Sequence, residues 1–335
     1  MQLMKVGKIS ETVLKSCVLT QIKSKNDAVK NGAGVGSDCA VFVCGDTFTA
    51  VCTQMIEVKS SEDVGCVMAR AAGGVACCGA KPVMATIAMF LPVYIEEQDI
   101  KRHMQEADEA AAELGIQIAG GHTEVSKAAL MPCVTVSVMG EVLSPVLPGR
   151  ARPGQDVVLS KWIGLEGTVR LAARMQDELA ERYPLSLIEK AIGFKKYLSI
   201  IPEAATAAKS NVGAMHDVSG GGIFAALWEL AESAGVGLSV DLKKIPVKQE
   251  TIEICEFLGR NPYELLSGGS LLMTADNGEN LVQALKAAQI PAAVIGKITE
   301  GNDRVVMNEE EKRFLERPKA IEIFKIGNCE TSRQS

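Results

Sequence analysis

Aromatic residues are scarce in this chain. Trp, Tyr and Phe make up 4% of 335 residues, whereas hydrophobic residues of all kinds reach 47%. A core with so few rings must be filled by aliphatic side chains. Positive charge is also in deficit: 35 Lys and Arg stand against 41 Asp and Glu, a net charge of −6. That balance argues against a general nucleic-acid binder, which presents excess Lys and Arg. Cysteine occurs 10 times but never in a C-x-x-C spacing, so the usual zinc, thioredoxin-type and haem-attachment signatures are missing. Cys77 and Cys78 are adjacent, a geometry that rarely closes on itself. Cys39, Cys44, Cys52 and Cys133 lie in apolar runs and read as small buried hydrophobes. This usage fits a reducing, cytoplasmic compartment. No uncharged apolar run reaches ~18 residues. The start, MQLMKVGKIS, has no apolar h-region, so neither a membrane span nor a signal peptide is expected.

What is present is length enough for two domains and mixed strand and helix patterns in both halves. AVFVCGDTFTAVC reads as two strands joined by a Gly45-Asp46 hairpin turn. SEDVGCVMARAAGGVACCGA reads as a helix with Ser61 as N-cap and Gly79 as its stop. PVMATIAMFLP reads as a buried strand, Glu96 to Leu114 as an amphipathic helix ended by Gly115, and IQIAGGHTEVS as a short strand entering a glycine turn. LSPVLPGRARPGQD carries three prolines and two glycines, which marks a linker. The expected domains are therefore 1–148 and 149–325, with 326–335 a disordered tail. Strands DVVLS, VGAMHD, VGLSVDL, SLLMTAD and AAVIGKIT alternate with helices in the second half. An α/β or α+β fold follows.

Glycine clusters carry the functional signal. GAGVGSDCAVF (32–42) contains G-x-G but does not complete G-x-G-x-x-G, and a hairpin rather than a helix follows. This excludes a Rossmann or Walker A loop and leaves either a ligand loop or a plain entry into a strand. AGGHTEV, IGLEGT and HDVSGGG also sit at strand ends or helix starts, where backbone N–H groups hold phosphate oxygens. Each carries an acid, Glu124, Glu166 or Asp217. An acid beside a phosphate needs a cation between them, which points to a nucleotide with Mg²⁺. The structural alternatives stay open: Asp38 capping its own turn, His122 bonded to backbone, GLEGT as a plain helix N-terminus, and VSGGG as a tight turn.

In order and content these clusters resemble the aminoimidazole ribonucleotide (AIR) synthetase superfamily. It includes AIR synthetase, thiamine monophosphate kinase, selenophosphate synthetase and the hydrogenase-maturation factor that makes the nitrile ligand. GVGSDCAVF, FTAVCTQMIEV, GGVACCGAKP, GGHTEV, RPGQDVVLSKWIGLEGT, MHDVSGGGIFAALWELAE and NPYELLSGGSLL carry the likeness, which looks closest to hydrogenase-maturation-factor-like, AIR synthase-related proteins. The resemblance implies a two-domain AIR-synthetase-like fold. Its N-terminal domain forms a dimeric β-barrel with flanking helices, and its C-terminal domain is α/β. It implies a homodimer that binds ATP and Mg²⁺ and phosphorylates an amide-type or other small acceptor, or a protein tail, with no nucleic acid or membrane partner.

On this likeness Asp38, His122 and Asp217 are the catalytic candidates, and Asp38 and Asp217 the metal ligands. Nucleotide contacts fall to Gly36, Ser37, Asp38 and Gln54, and to Gly120, Gly121, His122, Thr123 and Glu124. In the second half they fall to Lys161, Glu166, Gly167, Thr168, Gly221 and Gly222. The chain departs from the family's acids at Ser37, Gln54 and Gly73-Gly74, so metal binding should be weakened. A metal-site-degenerate dimer that binds nucleotide without turnover is the alternative. Cys329 is followed by six residues, unlike the maturation factor's terminal cysteine, so that factor's carrier step is not expected.

Overall fold

The computed structural model describes residues 7–318. The expected tail and Cys329 lie outside the described residues. A short helix α1 (Glu11–Val13) continues in tighter and wider turns to Gln21. Six strands follow: β1 (Val29–Asn31), β2 (Ala40–Cys44), β3 (Thr47–Glu57), β4 (Ala80–Leu91), β5 (Gln117–Val125) and β6 (Cys133–Val142). They form one sheet in the order β1-β2-β3-β6-β4-β5. Helices α2 (Asp63–Cys77) and α3 (Glu97–Leu114) connect them. Along β3, Cys52 and Ile56 are buried while Thr53 and Met55 are exposed, and β6 and β4 alternate likewise. Period-2 alternation of this kind marks a sheet covered on one face only. Helices α2 and α3 cover that face. The opposite face stays open.

The second half contributes β7 (Asp156–Ser160), α4 (Leu165–Arg174), α5 (Gln176–Ala180), α6 (Leu185–Ile192), α7 (Ile201–Lys209), β8 (Ala214–Asp217), α8 (Gly222–Ala234), β9 (Gly237–Asp241), α9 (Gln249–Phe257), β10 (Leu271–Ala275), α10 (Gly278–Ala287), β11 (Ala292–Thr299), β12 (Arg304–Asn308) and β13 (Glu311–Phe314). The sheet order is β13-β12-β9-β11-β7-β10-β8. Every residue of β8 and β10 is buried; β10 accordingly reads as a nearly continuous apolar run, whereas β8 ends in the buried polar pair His216 and Asp217. Helix α2 joins the halves. Val64 to Val75 pack with the first sheet, while Ala76 and Cys77 pack with α7, β10 and α10. A helix buried on all sides is apolar around its whole circumference.

Several local expectations shift. Helix α2 starts one residue later than the Ser61 cap implies: Glu62 is the cap, and Asp63 Oδ2 turns back to accept the Lys59 and Ser60 N–H groups at 2.7 and 2.8 Å. Strand β4 is buried on one face rather than both. The 120–121 glycines make no turn. They lie inside β5, where the β4–β5 register slips, and a Cβ on Gly121 would fall on the Ile87 carbonyl oxygen. The glycine permits close backbone approach instead. The cysteine reading also changes: Cys39 is disulfide-bonded to Cys78, and Cys44 is exposed.

Candidate functional site

The site lies where the loop before β2 meets the end of β8. A Cβ on Gly36 would sit 2.6 Å from the Glu229 carbonyl oxygen, and Gly36 has φ +71°. Only glycine lets this loop lie so close to α8. The loop thereby delivers Asp38 to the end of β8. Asp38 Oδ2 accepts hydrogen bonds from His216 Nδ1 at 2.8 Å and from the Asp217 N–H at 3.3 Å. His216 Nε2 donates to Glu229 Oε2 at 3.2 Å, and Lys8 Nζ donates to Glu229 Oε1 at 2.5 Å. The row Lys8, Glu229, His216, Asp38 alternates cation and anion.

The electrostatics follow from that row. Burial alone would lower the His216 pKa, but the carboxylates of Asp38 and Glu229 hold it well above the ordinary value. With a carboxylate on each ring nitrogen, the form that satisfies both is the imidazolium. Burial would raise Glu229, yet His216 and Lys8 bring it down to about 2. At Asp217 the pull of His216 and of the Ser219 side chain toward the charged form is outweighed. Burial and the neighbouring Asp38 charge raise it to about 7.

This row forms the inner end of a cleft of about 760 Å³. One wall is β3 with Thr53, Gln54 and Met55. Another is the turn Ser219, Gly220, Gly221. The N-terminal segment closes a third side with Lys8, Ile9 and Glu11, and Arg70 and Arg170 stand opposite. Behind Arg70, the buried acid Glu166 pairs with Arg70 Nη1 at 3.2 Å, and Arg170 Nε pairs with Asp63 Oδ1 at 2.5 Å. These pairs tie α2 to α4 beneath the cleft.

The donors suit a hard cation. Ligand atoms of Asp38, His216 and Asp217 lie within 4.8 Å of one another, but His216 spends both nitrogens on carboxylates. Oxygen ligands from Asp38 and Asp217, with Gln54 on the adjoining wall, fit an ion of the magnesium type. Ser37 adds no charge: its Oγ bonds Asn31 Nδ2 at 2.9 Å and Gly32 O at 3.1 Å, within its own loop. At Gly74 a Cβ would lie 2.5 Å from Cys52 Sγ and 3.1 Å from the Asp38 carbonyl oxygen, so no side chain has room.

Of the candidates named from sequence, Gly36, Ser37, Asp38, Gln54, Asp217 and Gly221 line this cleft. Gly222 lies just behind it, where a Cβ would meet the Tyr263 carbonyl oxygen at 2.4 Å. The others are elsewhere. Gly120, Gly121, His122, Thr123 and Glu124 are exposed on the edge strand β5, with His122 Nε2 and Glu124 Oε2 3.4 Å apart. They do not reach the cleft within one chain. Lys161 is buried away from the cleft lining. Its ammonium bonds Tyr197 O, Ser199 O and Glu203 Oε1 at 2.7, 2.6 and 2.5 Å, leaving no donor for a ligand. Burial lowers the Lys161 pKa and raises that of Glu203. Gly167 and Thr168 are packed inside α4, against Leu265 and Thr251 respectively. Glu166 faces its two arginines. In this chain GLEGT is a packed helix start.

Sequence reasoning missed Lys8, Arg70, Glu229 and the role of His216. Only His216 left a trace, a polar residue inside the otherwise apolar VGAMHD run.

An acid-lined cleft lies between two mixed α+β units, the first built on a one-sided sheet. The chain belongs to the AIR synthase related protein family: the N-terminal domain description fits residues 35–142 and the C-terminal one residues 152–308. It is 29% identical over 245 residues to carbamoyl dehydratase HypE of Azotobacter vinelandii, covering 70% of this chain and 69% of the relative. The fold matches the structure described as AaThiL complexed with AMPPCP and TMP with a TM-score of 0.72, 21% identity, and coverage of 94% and 99%. It matches hydrogenase maturation protein HypE in complex with ATP with a TM-score of 0.67, 19% identity, and coverage of 94% and 96%. Among the described residues no helix is long and apolar enough to cross a membrane.

Proposed function

We propose that this protein is an ATP-dependent enzyme that phosphorylates an amide-type or other small acceptor, in the manner of the hydrogenase-maturation and AIR-synthetase branches of its family. The observation that carries this reading is the meeting of Asp38, from the loop before β2, and Asp217, at the end of β8, beside the glycine loops 34–36 and 219–221. Those loops offer backbone N–H groups to phosphate oxygens. Asp38 and Asp217 would hold Mg²⁺, which neutralises phosphate charge and orients the transferring group. Relatives described with ATP, with AMPPCP and as a carbamoyl dehydratase support the same reading. The acceptor is a small molecule or a protein tail. The linker near residue 150 is taken as the domain boundary, and a cytoplasmic setting fits the mostly free cysteines.

The working unit is a homodimer. The open face of the first sheet carries Met55 at 64% and Phe90 at 40% exposure, and β5 is an unpaired edge. A broad exposed apolar face ending in a free edge calls for a partner. A second copy laid on this face would carry its own β5 beside the Thr53–Met55 wall. That is the route by which Gly120, Gly121, His122, Thr123 and Glu124 would reach a nucleotide. A second reading, a dimer that binds nucleotide without turnover, rests on the inward-turned Ser37 and on the lack of room at Gly74. No relative described above points to it.

Thermal unfolding with ATP or ADP, with and without Mg²⁺, tests the proposal, since a ligand of the folded state raises its stability. Mg²⁺-dependent stabilisation, together with phosphate release that Asp38→Asn abolishes, is expected. Stabilisation without Mg²⁺ dependence or turnover would select the second reading. No stabilisation under any condition would reject both.

A further inference from the structure

The neutral positions around the cleft and one lysine belong together. Asp38, Asp217 and Glu229 surround its inner end, while Ser37, Gln54 and Gly74 add no negative charge. Lys8 reaches this end from the N-terminal segment. Its stem lies over the Gly220 turn, 3.9 Å from where a Cβ on Gly220 would be. Its ammonium contacts Glu229 and faces the charges of Asp217 and Asp38. The segment is pinned to α8 and its neighbours: Trp228 Nε1 donates to Glu11 at 2.8 Å, and Lys15 Nζ meets Glu232 at 2.6 Å. Lys8 itself is half-exposed, on a flexible four-carbon stem that can swing from Glu229 to a ligand without moving the backbone.

Several divalent cations held side by side need carboxylates enough to offset their mutual repulsion. Here the His216 imidazolium lies between Glu229 and Asp38 and offsets one of their two charges even when Lys8 turns to a ligand, which leaves too little negative charge, with Asp217, for cations held side by side. Resting on the nucleotide reading above, we infer that Lys8 is a phosphate-binding residue standing in for a second divalent ion. The cleft therefore takes a nucleoside triphosphate with one divalent cation. The ammonium supplies positive charge beside the Gly220 turn, at an end of the cleft where Ser37, Gln54 and Gly74 offer no carboxylate to a metal.

The test counts bound Mn²⁺ by electron paramagnetic resonance on the full chain with saturating AMPPCP. It also measures AMPPCP affinity for wild type, Lys8→Met and Lys8→Arg. One Mn²⁺ per AMPPCP complex is expected. Lys8→Met should weaken AMPPCP binding about 10-fold or more, as loss of a charged hydrogen bond implies, and Lys8→Arg should recover most of it. Two Mn²⁺ per complex, or unchanged affinity in Lys8→Met, would overturn the inference while leaving the nucleotide reading intact. Wild type that binds no AMPPCP would overturn both. The Mn²⁺ count is read on wild type alone and stays decisive if Lys8→Met fails to fold.

Discussion

Asp217 is held where its charge is disfavoured, between buried surroundings and the Asp38 carboxylate. Its proton leaves the unfolded chain near the ordinary 3.8 but stays on the folded chain up to about 7. Between those values the folded state binds more protons, so this group's contribution to stability falls as pH rises. Asp217→Asn should therefore melt higher than wild type at pH 8, with the gap closing as pH falls toward 4, while losing Mg²⁺-dependent nucleotide binding. Calorimetry across that pH range checks it, and a gap that widens toward acid would contradict it. Lys161 makes the opposite case, a buried charge whose partner Glu203 lies inside the fold. Lys161→Met should cost about 3–5 kcal/mol, the usual result of stranding a buried partner, read by urea unfolding. Nucleotide affinity of the folded fraction should stay unchanged. At this scale the sequence was informative where a residue stood in a motif, as with Asp38 and Asp217. It was silent for Lys8 and Glu229, which meet across 221 positions and carry no local pattern. It misled at Lys161 and Glu166, whose charges suggested a ligand but are matched internally.

Helix α2 and strand β5 matter as whole elements. Gly74 lets α2 lie against β3, with Cys52 in the space a side chain would need. Placing an acid there by Gly74→Asp should destabilise the chain by about 1–3 kcal/mol through overpacking, and adding Cys52→Ala should recover part of that loss. Denaturant midpoints of the single and double variants check this. A neutral single variant would show that the helix can shift away. Strand β5 is the open end of the first sheet. Phe90→Glu with Val125→Lys should convert a dimer to monomers in sedimentation equilibrium and lower nucleotide affinity with it. A monomeric wild type would contradict the assembly proposed above. Most helices and central strands were legible because their periodicity is set by one-sided or two-sided burial. The sequence shows β5 as a short strand entering a turn, because its glycines look alike whether they bend the chain or admit a neighbouring backbone. The short α5 and α6, the edge strands β1 and β13, and β12 beside the latter have too few residues to show a period.

At the scale of the molecule, the two halves are joined through α2, and the Arg70–Glu166 and Arg170–Asp63 pairs run beneath the cleft. The two-domain fold was legible because each half repeats a strand–helix pattern around a Pro- and Gly-rich linker. The site was half legible: motifs identified its loops, but only the fold shows that Asp38 and His216 meet across 178 positions. In the proposed function the Asp38–Asp217 cleft holds the phosphates of ATP beside a divalent ion. A crystal structure of the full chain grown with AMPPCP and Mn²⁺ tests it most directly. An anomalous Mn²⁺ peak bonded to Asp38 and Asp217, with phosphate oxygens against the Ser219–Gly221 turn, is expected. Nucleotide bound elsewhere, or a metal that avoids both aspartates, would contradict it.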